Sequence, residues 1–243
     1  MSAAERVQAS IRAANAAERE AIAAGPFTLY RSRASDHPYL NYAVPNAGAV
    51  EWDGIDRLRA AFAAQGLRPR LEFVVESAPG LEAALAADGF ELQGRYPVMT
   101  LPAEDLREVP APESVVIARV LPGGDVRALL RTAAEAFGDG EPTDAQVEGY
   151  AGRGHLARVH GEPAGTAFHS PIAEGVSELG GIGVRERFRR RGIAAALTGA
   201  SAAAAVAAGA QLCFLTPGDD GAERVYARAG FARAGTTVVH MLG

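Results

Sequence analysis

The sequence repeats itself. Residues 71–101 lie over residues 212–242 without a gap, at a constant offset of 141. Leu71 meets Leu212, Phe73 meets Phe214, Gly80 meets Gly221, Gly89-Phe90 meets Gly230-Phe231, Gly94 meets Gly235 and Val98 meets Val239. Both copies read strand, turn, helix, Gly-Phe, strand. A frame held this long without insertion constrains a fold more than any local propensity, because each copy must build the same unit. Upstream of the first copy, Ile55, Leu58 and Phe62 fall on one helical face. That helix matches the one preceding the second copy. The chain is read as two related halves, the first reduced.

Local signals fill in the frame. Ser2-Ala3-Ala4-Glu5 is a capping box and Gly25-Pro26 a stop, so a helix is expected over residues 3–24. The Pro-rich, charged residues 102–113 form the best linker, dividing residues 1–101 from residues 114–243. In the second half, residues 115–120 read as a strand and 125–137 as an apolar-striped helix. Residues 157–168 read as a hairpin turning at Gly161-Glu162-Pro163, and 176–184 as a strand. An uncharged helix over 193–208, a strand over 211–216 and a helix carrying Tyr226 follow. Alternating strands and helices of this kind imply mixed α/β (α+β) halves with flanking helices.

Composition removes several classes of function. All 24 basic residues are Arg. With no lysine amine, Schiff-base enzymes and Lys-dependent P-loop NTPases are excluded. A net charge of −5 argues against nucleic acid as a partner, since phosphate-backbone affinity needs a broad basic surface. Cys213 is the only cysteine, which rules out an intrachain disulfide and fits a reducing compartment. No signal peptide is read at the start, so the expected location is the cytoplasm. No charged residue occurs from Gly192 to Gly218, but Gly199, Gly209 and Pro217 interrupt that run and a buried helix is expected rather than a membrane span. The five histidines lack metal-ligand spacing, so no metal site is expected.

Chemistry concentrates at Gly183-Val184-Arg185-Glu186-Arg187-Phe188-Arg189-Arg190-Arg191-Gly192-Ile193-Ala194. An apolar strand ends in a basic, Gly-containing turn that opens into the uncharged helix. The first N–H groups of a helix have no internal acceptor and its dipole is positive there, so such a turn suits a pyrophosphate. Arg189-x-x-Gly192-x-Ala194 resembles the Gln/Arg-x-x-Gly-x-Gly/Ala signature of the GNAT (N-acetyltransferase) superfamily. Ala222, Tyr226, Gly230 and Phe231 resemble that family's second element in the same order and register, with Asp219 where the family often has Asn. The resemblance covers roughly residues 114–243. A tandem arrangement with one silent half, similar to mycothiol synthase, accounts for the repeat: Leu85 stands opposite Tyr226, and Glu51 and Asp53 stand opposite Gly192 and Ala194.

The resemblance implies acetyl-CoA as co-substrate and an acetyl transfer to a primary amine, by direct transfer in a ternary complex. The acceptor would be a small molecule or a peptide N-terminus, a cationic amine being suggested by the acidic residues 137–144. Ile182, Gly183 and Val184 would contact the acetyl-pantetheine arm. Arg189, Arg190, Arg191, Gly192, Ile193 and Ala194 would hold the pyrophosphate, and Asp219 would add a cofactor contact. Tyr226 is the candidate general acid, a phenol protonated at neutral pH. Glu178 is the candidate base; in a regular strand it shares a face with Gly180, Ile182 and Val184, and burial there would raise its pKa. His240 is a further candidate for the acceptor pocket. The alternative is a non-catalytic acyl-CoA-binding or regulatory protein in which Tyr226 only packs. An apolar helix over 193–208 must be covered on both sides, by the N-terminal half or by a second subunit in a homodimer.

Overall fold

The computed structural model describes residues 1–33, 35–49 and 51–243. They form two compact units, Met1–Met99 with Arg233–Gly243, and Thr100–Ala232.

In the first unit, α1 (Ala3–Glu18) starts at Ser2, whose side chain accepts from the Glu5 N–H while Glu5 reaches back to the Ser2 N–H at 2.7 Å. The helix stops six residues before the expected end. Arg19 is extended, and β1 (Glu20–Ala24) pairs antiparallel with β2 (Phe27–Arg31). Gly25-Pro26 is therefore a two-residue hairpin turn, with Gly25 at φ +69°, and not a helix stop. β3 (Tyr42–Pro45), α2 (Ile55–Ala64), β4 (Arg70–Val74), α3 (Leu81–Ala87) and β5 (Phe90–Pro102) follow.

The final strand of the chain, β11 (Ala232–Leu242), pairs antiparallel with β4, from Thr237 opposite Val74 to Met241 opposite Arg70. The strand order in this unit is β1-β2-β3-β4-β11-β5. Residues 233–243, read from sequence as part of the second half, thus complete the sheet of the first. Strand alternation sends Leu71 and Phe73 into a core with Leu58, Phe62, Leu81 and Leu85. The opposite face of β4 meets α1, where Gln8 Oε1 accepts from the Val74 N–H at 2.7 Å. His240 stacks on Phe73 at 5.9 Å and is buried in this unit.

The second unit has the strand order β10-β9-β8-β7-β6. Its elements are β6 (Val115–Val120), α4 (Val126–Phe137), the short α5 (Asp144–Glu148), β7 (Gly154–Val159), β8 (Glu162–His169), β9 (Val176–Val184), α6 (Ile193–Ala207), β10 (Leu212–Leu215) and α7 (Asp220–Arg228). The β7–β8 turn is His160-Gly161, both with positive φ, so it is a type I′-like hairpin one residue earlier than expected. α6 covers one face through Ile193 and Leu197 against Ala157, Ala164 and Ala167. α4 covers the other through Val126 and Leu129 against Leu156 and Phe168.

The segment read as a linker also packs. A Cβ on Gly199 of α6 would lie 2.7 Å from Val109 Cβ, so residues 106–111 lie along that helix where only a small residue leaves room. Part of the cover expected from the N-terminal half or from a second subunit is therefore supplied by this segment, while Ala203 and Ala207 reach solvent.

Candidate active site

The site begins as a gap in a sheet. β9 pairs with β8 as far as Val184, but with its parallel neighbour β10 only at Val176, Ser177 and Glu178. Beyond Glu178 one edge of β9 has no strand beside it. Main-chain amides left without a ladder are available to a ligand.

A bulge shapes that edge. Phe168 lies opposite Gly180 and Thr166 opposite Gly183, so two residues of β9, Gly181 and Ile182, face one of β8. Gly181 has φ +56°, and a Cβ there would approach the Phe168 ring to 2.6 Å. Only glycine satisfies both conditions. A Cβ on Gly183 would meet Ala136 at 2.8 Å and the Phe137 ring at 2.9 Å, so the end of α4 closes down on the strand.

The extra residue changes which side chains share a face. A regular strand would align Glu178 with Ile182 and Val184. The bulge instead leaves Glu178 and Gly180 in phase with Gly183, towards α4, while Ile182 and Val184 pack on the α6 side. Glu178 is exposed, not buried as the sequence suggested. Its main chain is fixed by Ser170, whose Oγ accepts from the Glu178 N–H at 2.9 Å.

Past β9, residues 186–188 form a single 3-10 turn anchored by buried Phe188. Arg190 follows at φ +64° and Gly192 at φ +79°, and α6 starts at Ile193. The first bond into the helix is from Ala196 N–H to Gly192 C=O. The N–H groups of Gly192, Ile193, Ala194 and Ala195 have no protein acceptor among the described residues. The exposed arginines divide by role. Arg189 Nε donates to Val184 C=O at 3.0 Å, and Arg191 donates to Arg187 C=O at 3.1 Å and lies over the Phe188 ring. Arg190 alone of the three has no side-chain partner among the described residues. The turn is thus braced by two guanidinium groups and leaves the third to solvent.

Tyr226 is half-buried on α7. Burial, and then the Asp219 carboxylate, push its phenol above the ordinary value. Asp219 is the N-cap of α7, its Oδ1 accepting from the Ala222 N–H at 2.7 Å. That capping bond gives Asp219 a structural role beside the cofactor contact expected from sequence. The acidic segment that suggested a cationic acceptor is largely neutralised: Glu141 pairs with Arg131 at 3.0 Å and Asp144 with Arg127. Cys213 is buried in β10 and its thiol is pushed up to about 11 by burial, which leaves it inert at neutral pH.

Sequence reasoning missed Phe137, Phe168, Gly180 and Gly181. The Gly180-Gly181-x-Gly183 run inside a strand pattern was the available sign, because glycine in a strand marks a bulge or a close approach.

Comparison with known proteins agrees with this geometry. The acetyltransferase (GNAT) family model matches residues 125–231. A GCN5-related N-acetyltransferase from Kribbella flavida is 30% identical, with a TM-score of 0.85 over 99% of this chain and 96% of that one. A GCN5-related N-acetyltransferase from Sphaerobacter thermophilus is 20% identical, with a TM-score of 0.69 over 98% and 91%. A tandem GNAT protein from the clavulanic acid biosynthesis pathway is 17% identical, with a TM-score of 0.60 over 88% and 77%. The last two show the fold alone. No curated protein sequence matches the chain significantly. The chain belongs to the GNAT family of acetyltransferases.

No helix among the described residues is long and apolar enough to cross a membrane, and no cluster of three or more metal-ligating side chains occurs among them.

Proposed function

We propose that the second unit is an acetyl-CoA-dependent N-acetyltransferase that passes the acetyl group directly to a primary amine of a small molecule or a peptide N-terminus. One observation carries this reading. The strand edge left open beyond Glu178 leads in sequence straight into a turn whose amides have no acceptor.

The residues present fit a pyrophosphate. Gly192 is left-handed and open, since a Cβ there would come no closer than 3.6 Å to Pro112. Phosphate oxygens can therefore approach the amides of Gly192, Ile193 and Ala194, with the Arg190 guanidinium free to join and Arg189 and Arg191 holding the turn. Each dipole or charge term is worth only about 0.3–1 kcal/mol, so several must act together. Ile182, Gly183 and Val184 would line the pantetheine arm, and a β9 amide would polarise the carbonyl. The co-substrate supplies the activated thioester.

Tyr226 holds the proton that a leaving thiolate needs. A free phenol and a free thiol differ by about 1.5 pKa units, so the transfer is uphill by about 2 kcal/mol, which a positioned acid can meet within a catalysed step. The upward displacement at Tyr226 keeps the phenol protonated but adds to that cost. Glu178, exposed, would accept the proton of the incoming ammonium through water. An inert Cys213 supports direct transfer over a thiol-borne acyl enzyme.

Free-thiol release measured across a panel of amines tests the reading, together with calorimetric titration of coenzyme A. Turnover with at least one amine, lost in Tyr226→Phe while coenzyme A affinity is kept, is the expected result. Coenzyme A binding without thiol release from any amine would instead mark a binding protein.

A further inference from the structure

The first unit holds a cavity of about 460 Å³ that the acetyl-transfer reading does not use. It lies on the face of β4 turned away from the core. Strand alternation places Arg70 and Glu72 on that face, and the β4–β11 register sets Met241 beside Arg70 and Val239 beside Glu72. Tyr39 and Tyr96 form aromatic walls, and Gln93 adds an amide.

Its floor is an unusual place for a cation. The Arg70 side chain is only 5% exposed. It donates to Glu72 Oε2 at 3.2 Å through one nitrogen, not through its two-pronged fork. The Tyr39 ring lies 4.8 Å from its guanidinium carbon and the Tyr42 ring 5.7 Å. Tyr42 carries a second guanidinium, that of Arg19, at 4.8 Å, and Arg19 also acts electrostatically on Glu72. One carboxylate thus serves two arginines, of which Arg70 lines the cavity, while Arg19, behind Tyr42, keeps a buried nitrogen without a hydrogen-bond partner. A buried cation without full compensation is costly, so an anion entering here would be favoured.

The walls specify the rest of the ligand. Tyr39 is 69% exposed and stacks on His37 at 5.2 Å, so most of its ring is open to a ligand. Tyr96 folds back over Gly94, where a Cβ would meet the Tyr96 hydroxyl at 2.5 Å, so the glycine permits this ring position. Aromatic faces above a guanidinium grip a flat apolar body while the cation takes its charged end.

We propose that this cavity is a binding site for a small carboxylate carried on a flat apolar body. It is built entirely from the first unit and stands whether or not the second transfers acetyl groups.

Ligand-observed NMR on the full chain tests it, with benzoate and indole-3-acetate as probes and benzamide and benzylamine as controls of matching shape. The carboxylates should bind at least about tenfold more tightly than the controls, the discrimination that a charge-assisted hydrogen bond provides. Tyr39→Ala removes a largely exposed ring, so the protein should stay folded, with a small drop in unfolding temperature from the lost contact with Arg70, and the carboxylates should weaken by about fivefold. Arg70→Gln, where it folds, should abolish the preference for carboxylate. Equal binding of acid, amide and amine would overturn the proposal. So would absence of carboxylate binding, carboxylate binding unmoved by Tyr39→Ala, or competition by inorganic phosphate as effective as by benzoate.

Discussion

The two units place different things at the start of the helix that precedes each copy of the repeat. In the second, Gly192 opens α6 with its left-handed backbone facing free space and its neighbours' amides unbonded. In the first, Gly54 opens α2, and the space a Cβ would need is taken by Pro26 Cδ at 2.2 Å and by Arg57. Trp52 lies beside it, stacked on Phe27 at 5.8 Å with its indole N–H donated to Pro79 C=O at 2.9 Å. Glu51 and Asp53 bring negative charge where the second unit has Gly192 and Ala194. The strand gaps differ as well. β9 and β10 share three parallel pairs before parting, whereas β3 and β4 share only Ala43 with Leu71. The helix start carries an open turn with unbonded amides among the described residues of one unit and a filled corner in the other.

The equivalent positions Tyr226 and Leu85 give the sharpest way to break this comparison. Tyr226→Phe should lower kcat by about 10²–10⁴-fold with coenzyme A affinity within twofold of wild type, the span of a lost general acid. An unchanged kcat would reduce Tyr226 to packing and make the two copies alike. Leu85 is fully buried in the core of the first unit, so Leu85→Ala should cost about 2–5 kcal/mol in denaturant unfolding while kcat per folded molecule stays put.

The second unit should also have its own acid weakness. His155 and His169, both buried, lie near each other there, and burial followed by the His169 charge brings the His155 imidazole down to about 4. The native state refuses a proton that the unfolded chain accepts below pH 6.5. The contribution of a neutral His155 is therefore complete above pH 6.5, declines as the pH falls, and is gone below pH 4. About 3 kcal/mol is at stake. Unfolding midpoints of His155→Gln should be flatter than wild type across that window; parallel curves would show that His155 titrates normally. The smallest effect expected is at Asp219. Asp219→Ala removes the α7 cap and should cost about 1 kcal/mol, with coenzyme A affinity unchanged. A loss of affinity larger than the loss of stability would restore Asp219 as a cofactor contact.

The local structure around the candidate residues could be read from the chain because its signals are local. Gly192 after an arginine run and before an uncharged helix can hardly be anything but a helix start, and Tyr226 stands in register with Gly230 and Phe231. The errors have a common cause, which is that partner strands lie far away in sequence. Gly25-Pro26 satisfies a helix stop and a hairpin turn equally well, and only pairing of Glu20–Ala24 with Phe27–Arg31 decides between them. The face of Glu178 depended on a bulge that exists only against β8.

By itself the sequence determined that residues 71–101 and 212–242 share one spacing of residues, that a Gly-containing arginine turn precedes an uncharged helix, and that lysine and an intrachain disulfide are absent. These follow from residue identity and spacing along the chain. Tertiary structure alone decided that β11 closes the sheet of the first unit, that residues 106–111 pack on α6, and that Arg70 is buried beneath two tyrosines. Each of these rests on contacts between segments far apart in the chain, where burial and register, not local propensity, set the free energy.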